Sequence, residues 1–230
     1  MTAQRFRVWF RKGERVRFIS HLDVLRFWER AIRRAGLPLS YSQGFTPHPR
    51  LAFAAPLPLG FLAEAEVLDV TLDERVDIRE FREKLAAEAS GDLAMVDVAE
   101  ISPTAPPPQS LLQWADYRVD IPDAEPAELR RAAEAFLERE SFEWTEEKKE
   151  KSRTYDLRAG VLSLTVAPAD AGSSITMRLR ADASMTTRPE QVMAAAFPDY
   201  TPGLMTRLGL VLDQSSPARE AWRRRGRFEE

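Results

Sequence analysis

Residues 4–11, QRFRVWFR, alternate without a break: Phe6, Val8 and Phe10 point one way, Arg5, Arg7, Trp9 and Arg11 the other. That period of two belongs to a strand with one apolar side, which must be covered by another element. The next segment supplies a cover. Ser20 is a good helix N-cap with Asp23 three residues on, and Gly36 followed by Pro38 closes the helix. Between them Leu22, Val24, Leu25, Trp28, Ala31, Ile32 and Ala35 form a broad apolar face, while Arg26, Arg30 and Arg33 recur at i, i+4 and i+7 as a basic stripe. Gly13 allows a turn, and RVRF is expected to resume the strand pattern with Val16 and Phe18 inward.

Further along, PRLAFAAPLPLGF and EAEVLDVTLD read as strands, DIREFREKLAAEAS as an amphipathic helix and LAMVDVAEI as another strand. The order β-α-β-β-α-β is the split βαβ, or ferredoxin-like, arrangement. A Pro- and Ser-rich segment, SPTAPPPQS, separates it from a second run with the same order: strand WADYRVDIP, helix AELRRAAEAFLERE, strands YDLRAGVLSLTVAP and SSITMRLRAD, helix RPEQVMAAAF and strand MTRLGLVLD. The expectation is an α+β chain of two ferredoxin-like (βαββαβ) domains with antiparallel sheets. Their bounds are 1–101 and 111–214, with a linker at 102–110 and a basic tail at 215–230. The run EEKKEK, 146–151, reads as a solvated flexible excursion.

The chain of 230 residues contains no cysteine and two histidines. Disulfides, thiolate zinc sites, a thiol nucleophile and a cysteine-bound iron–sulfur cluster are therefore excluded within it. No cofactor and no metal are expected. No apolar run reaches the roughly 20 residues of a membrane span and no secretory h-region opens the chain, so a cytoplasmic protein without membrane contact is expected. The formal net charge of −3 hides a segregation: residues 1–60 carry +8, 61–147 carry −15 and 148–230 carry +4. The basic first segment points to an anionic partner, RNA above all.

If both helices cover the Phe6 side of the first strand, the opposite side is open. Arg5, Arg7, Trp9 and Arg11 there combine phosphate-neutralising guanidiniums with a ring that can stack a base. The same residues also suit a merely solubilising surface in which arginine stems cover Trp9. Arg26, Arg30 and Arg33 extend the surface, as does the loop SYSQGFTPHPR, where Ser42, Thr46, His48 and Arg50 offer donors. In that loop Gly44 permits a positive-φ turn, and Pro47 and Pro49 stiffen the backbone around His48. Arg178 and Arg180 beside Thr176 are candidates for a weaker matching surface in the second half. His21, just inside a helix N-terminus, and His48 are the catalytic candidates if the chain cleaves RNA as a general acid or base. His21 equally suits a structural first-turn histidine bonded to the backbone or to Asp23.

The blocks SHLD, RAGLP, YSQGFTPHP and PLPLG, within residues 20–60, resemble the signature of the radical-SAM-linked proteins, a bacterial family found beside or fused to radical SAM proteins. The resemblance implies a radical SAM partner that carries the cluster this chain cannot bind. The tandem layout also resembles that of the CRISPR repeat-processing endoribonucleases, on architecture alone, with TPGLMTRLG as a hint of their glycine-rich loop. The expected function is an RNA-binding or substrate-presenting accessory protein acting with a radical SAM enzyme. The alternatives are a metal-independent endoribonuclease and a protein-only adaptor.

Overall fold

The computed structural model describes residues 4–148 and 151–213. It is a mixed α/β chain with mainly antiparallel sheet pairing, and its described residues divide into two compact units: one of 4–112 with 212–213, the other of 113–211.

In the first unit, β1 (Gln4–Lys12), α1 (His21–Arg34), β2 (Leu51–Phe53), β3 (Leu62–Leu72), α2 (Ile78–Glu88) and β4 (Met95–Ile101) follow the expected order, and the strands lie side by side as β4-β1-β3-β2, all antiparallel. The start of α1 is a full capping box: Asp23 N–H donates to Ser20 Oγ (3.2 Å) and the Ser20 N–H to the Asp23 carboxylate (3.3 Å). Its end is a Schellman turn, with Gly36 at φ 64° and the Leu37 N–H donating to Ile32 O. Phe6, Val8 and Phe10 are buried with Trp28 and Ile32 of α1 and Phe81 and Leu85 of α2. The Phe6 and Phe81 rings stack at 4.2 Å and Phe10 meets Trp28 at 5.0 Å.

The chain turns after Gly13 as expected, but RVRF does not resume the strand pattern. A 3-10 turn covers Glu14–Val16, and Phe18 is 65% exposed. Lys12 is the cause: it continues the phase of Phe6, Val8 and Phe10 into the interior, and its ammonium donates to Arg17 O (2.8 Å) and Ile19 O (3.4 Å), so the chain curls around the buried charge.

The open platform on the second side of β1 is also corrected. Arg7 is fully buried and Arg5 and Trp9 nearly so; Arg11 alone of the four is exposed, with Nε donating to Gly91 O. Asp69, directly opposite Arg7 in the β1–β3 register, accepts from Arg7 Nε (2.6 Å) and Nη2 (2.8 Å) and from Arg5 Nη2 (2.5 Å). Arg5 Nη1 donates to Ala105 O at 2.6 Å. The proline segment 102–110 is thus no spacer: it lies on the first unit, and α3 (Pro108–Leu111), which begins inside it, packs against β2 and β3.

The second unit contains β5 (Leu112–Pro122), α4 (Pro126–Leu137), β6 (Glu143–Lys148), β7 (Lys151–Asp156), β8 (Val161–Ala169), β9 (Gly172–Arg180), α5 (Pro189–Ala196) and β10 (Met205–Leu212). Four of these strands lie in the order β10-β5-β9-β8, while β6 and β7 pair only with each other. That hairpin was not expected and takes up most of EEKKEK; Thr145 and Thr154 hydrogen-bond across it. Its side chains at 147, 148 and 151, and residues 149–150, lie outside the described residues, as does the expected basic tail at 215–230. The TPGLMTRLG segment is not an open loop: Gly203 N–H donates to Asp120 O and β10 starts at Met205. Arg178 and Arg180 form no free surface either, since Arg178 makes a two-pronged pair with Asp116 (2.7 and 2.8 Å) and Arg180 pairs with Asp182. Partial burial pushes the Asp182 carboxyl up, but hydrogen bonds from Ser184, Arg180 and the Met185 N–H outweigh it and hold it well below the carboxylate range.

Removal of Asp69 leaves two buried guanidiniums facing each other. Asp69→Ala is expected to cost about 3–5 kcal/mol in urea unfolding, the range for breaking one side of a buried pair. A change within about 0.5 kcal/mol, as for a surface site, would contradict this account of β1.

Candidate nucleic-acid interface

With the β1 face closed, two groups of candidate side chains remain on the first unit, one lining a pocket and one exposed, and α1 contributes to both. Position along a helix of 3.6 residues per turn separates them. His21 is in line with Val24 and Trp28, on the core side, whereas Arg26, Arg30 and Arg33 are exposed on the far side. The stripe of Arg26, Arg30 and Arg33 and the His21 side chain therefore belong to different sides of α1.

The first group is a small pocket lined by Phe10, Lys12, Ile19, His21, Val24, Phe53, Ala55, Leu57 and Glu66, with space for about one water molecule. The His21 ring meets Phe53 edge-on at 4.8 Å. Lys12 and Glu66 are both buried, so a cation, a carboxylate and an imidazole open onto one space with apolar walls. Neither Lys12 nor Glu66 figured among the sequence candidates. The available signal was charge at strand positions in phase with, or opposite, the apolar face: Lys12 follows Phe10 by two, and Glu66 pairs with Phe10 in the register. Exposed Phe18, Leu22 and Leu59 are near neighbours in sequence of pocket residues Ile19, His21 and Leu57.

The second group is the outer stripe of α1 together with the loop 40–50. Arg30 and Arg33 make no hydrogen bond or ion pair among the described residues, and Arg26 reaches only Asp23, at 3.6 Å with both groups over half exposed. Hydrogen bonds from the Ser20 hydroxyl and backbone lower the Asp23 pKa, with Arg26 and Arg30 adding to the effect. The loop is a closed hairpin. Tyr41 and Pro49 form a bridge, Ser42 N–H donates to His48 O (2.8 Å), and His48 N–H donates to Ser42 Oγ (2.9 Å). Its base is tied to β3 through Ser40 N–H to Thr71 O and Thr71 N–H to Arg50 O, and its neck to α1 through Tyr41 Oη to Glu29 (3.2 Å). Burial, followed by the Glu29 carboxylate, raises the Tyr41 pKa, so the phenol remains a donor at neutral pH.

The last of these ties holds the neck of the loop against α1, the helix that carries the arginine stripe. Thr46, His48 and Arg50 are exposed as expected of contact residues; Ser42 is half-buried, its hydroxyl engaged in closing the neck. Phe45, absent from the sequence candidates, stands fully in solvent at the tip, after Gly44 at φ 132°. A large apolar residue between a glycine and a Thr-Pro, where no strand or helix pattern would bury it, was the signal. Among the described residues no cluster of three or more His, Cys, Asp or Glu could hold a metal, and no helix is long and apolar enough to cross a membrane.

Comparison with curated proteins gives no match. Among solved structures, a chain of the "Crystal Structure of a Cbf5-Nop10-Gar1 Complex" aligns with a TM-score of 0.45 and 11% identity over 88% of this chain, which spans 47% of that chain's length. Likeness at that level carries no functional conclusion. The sequence of residues 5–189 matches a family that contains most of both units, and on that match the chain belongs to the bacterial family described as "Uncharacterized protein conserved in bacteria (DUF2344)".

Proposed function

We propose that the chain is a non-catalytic, RNA-binding accessory protein built of two ferredoxin-like units, which holds or presents substrate for a radical SAM enzyme. The strand orders β4-β1-β3-β2 and β10-β5-β9-β8 support the architectural part of this reading. The SHLD, RAGLP, YSQGFTPHP and PLPLG blocks support the partner. RNA binding rests on one observation above the others: Arg30 and Arg33, and Arg50 at the base of the loop, are exposed guanidiniums that form no ion pair with a carboxylate of the described residues. Phosphate is the ligand that such a row of forked donors fits best. The contact surface is therefore Arg26, Arg30, Arg33, Thr46, His48 and Arg50, without Arg5 and Arg7.

Neutralising about four phosphates of a single strand gives a slope of roughly −3 in log K against log salt. In fluorescence anisotropy with a labelled oligoribonucleotide, the double variant Arg30→Glu/Arg33→Glu is expected to bind more than tenfold more weakly, with a slope shallower by about 1.4. Equal affinity and slope in variant and native protein would remove this reading.

One observation favours a second reading, a metal-independent endoribonuclease: His21 opens onto the same pocket as Lys12 and Glu66. An imidazole could transfer protons there while the ammonium stabilises charge. On this reading RNA incubated with the protein in chelator is cleaved, and cleavage is lost in His21→Ala but kept in His48→Ala. RNA left intact by the native protein counts against it.

A further inference from the structure

Phe45 sets the class of RNA. Its relative exposure is 111%, above that of the reference state for a free residue, on a segment that is otherwise closely tied down. Burying such a side chain is favourable, so leaving it in water forgoes a contact that folding could have made. The rest of the loop works against its collapse. The reciprocal Ser42–His48 hydrogen bonds close the neck, Thr71 and Glu29 anchor the base, and Pro47 and Pro49 limit the return strand. The ring is held out on a short stiff finger, so little conformational freedom is lost when it meets a ligand. Its chain neighbours Gln43, Thr46 and His48 are exposed groups able to bond a base edge, and the neck of the loop is bonded through Tyr41 to Glu29 of the helix that carries the arginine stripe.

We infer that Phe45 stacks on an unpaired base while Arg30, Arg33 and Arg50 hold the flanking phosphates, so that the ligand of this face is single-stranded or looped RNA rather than duplex. This rests on the RNA-binding reading above and adds the substrate class. In a duplex the bases are already stacked on each other and the deep major groove does not admit a ring; in a loop or tail the base faces are free. Every base has such a face, so the finger selects strandedness and not sequence.

The test compares a fluorescein-labelled oligouridine with a duplex of the same length, at one salt concentration, in anisotropy titrations of the full chain. Phe45→Ala is expected to lower affinity for oligouridine about tenfold, within the span of one stacked base, and to change duplex affinity less than about twofold. Phe45→Trp is expected to restore oligouridine binding. If Phe45→Ala leaves oligouridine affinity unchanged, or weakens both ligands equally, the stacking role is overturned while RNA binding stands. If the native protein binds neither RNA, the underlying reading fails with it. Phe45 packs against nothing in the core, so loss of fold does not confound the result.

Discussion

The carboxylate of Asp69 organises the first unit. It accepts from two guanidiniums on the neighbouring strand, and Arg5 extends the network to the carbonyl of Ala105 in the proline segment. A side-chain period of two means that a slip of one residue would turn Arg5 and Arg7 toward Phe81 and Trp28 and carry Phe6 and Phe10 to the far side. The charge cluster therefore works as a register key. Buried ion pairs contribute little net stability against an apolar replacement, and a register role is their best-attested use. Two guanidiniums thus share one carboxylate, and Arg7 Nη1 has no hydrogen-bond partner among the described residues.

This key also decides what is left for function. Once the second side of β1 is closed, α1 still turns Arg26, Arg30 and Arg33 outward, and the loop tied to Glu29 and Thr71 adds Arg50. The same helix therefore anchors the unit through Trp28 and Ile32 and offers Arg26, Arg30 and Arg33 on its opposite side. Function on this reading follows from which side of an element the core has already claimed.

Much of this was legible in local residue patterns. Ser20, Asp23 and Gly36 define α1 because caps are local chemistry, and the alternation of β1 and the β-α-β-β-α-β order were plain for the same reason. The second face of β1 was not legible, because what covers it comes from far along the chain: Asp69 is 62 residues from Arg7, and Ala105 is 100 residues from Arg5. One local clue existed, a lone aspartate among the apolar residues of VLDVTL, which asks for a cationic neighbour. The β6–β7 hairpin went unseen because its charged residues carry no apolar period. Phe45 went unseen because a loop aromatic gives no sign by itself of whether the core will claim it.

An aromatic ring carried into water on a stiff stalk has a cost in solution behaviour. Together with exposed Phe18, Leu22 and Leu59 it gives the first unit hydrophobic sites through which copies can meet. Mutual repulsion among the arginines opposes that meeting at low ionic strength, and screening removes the opposition. Added salt thus favours meetings of copies through this arginine-flanked ring.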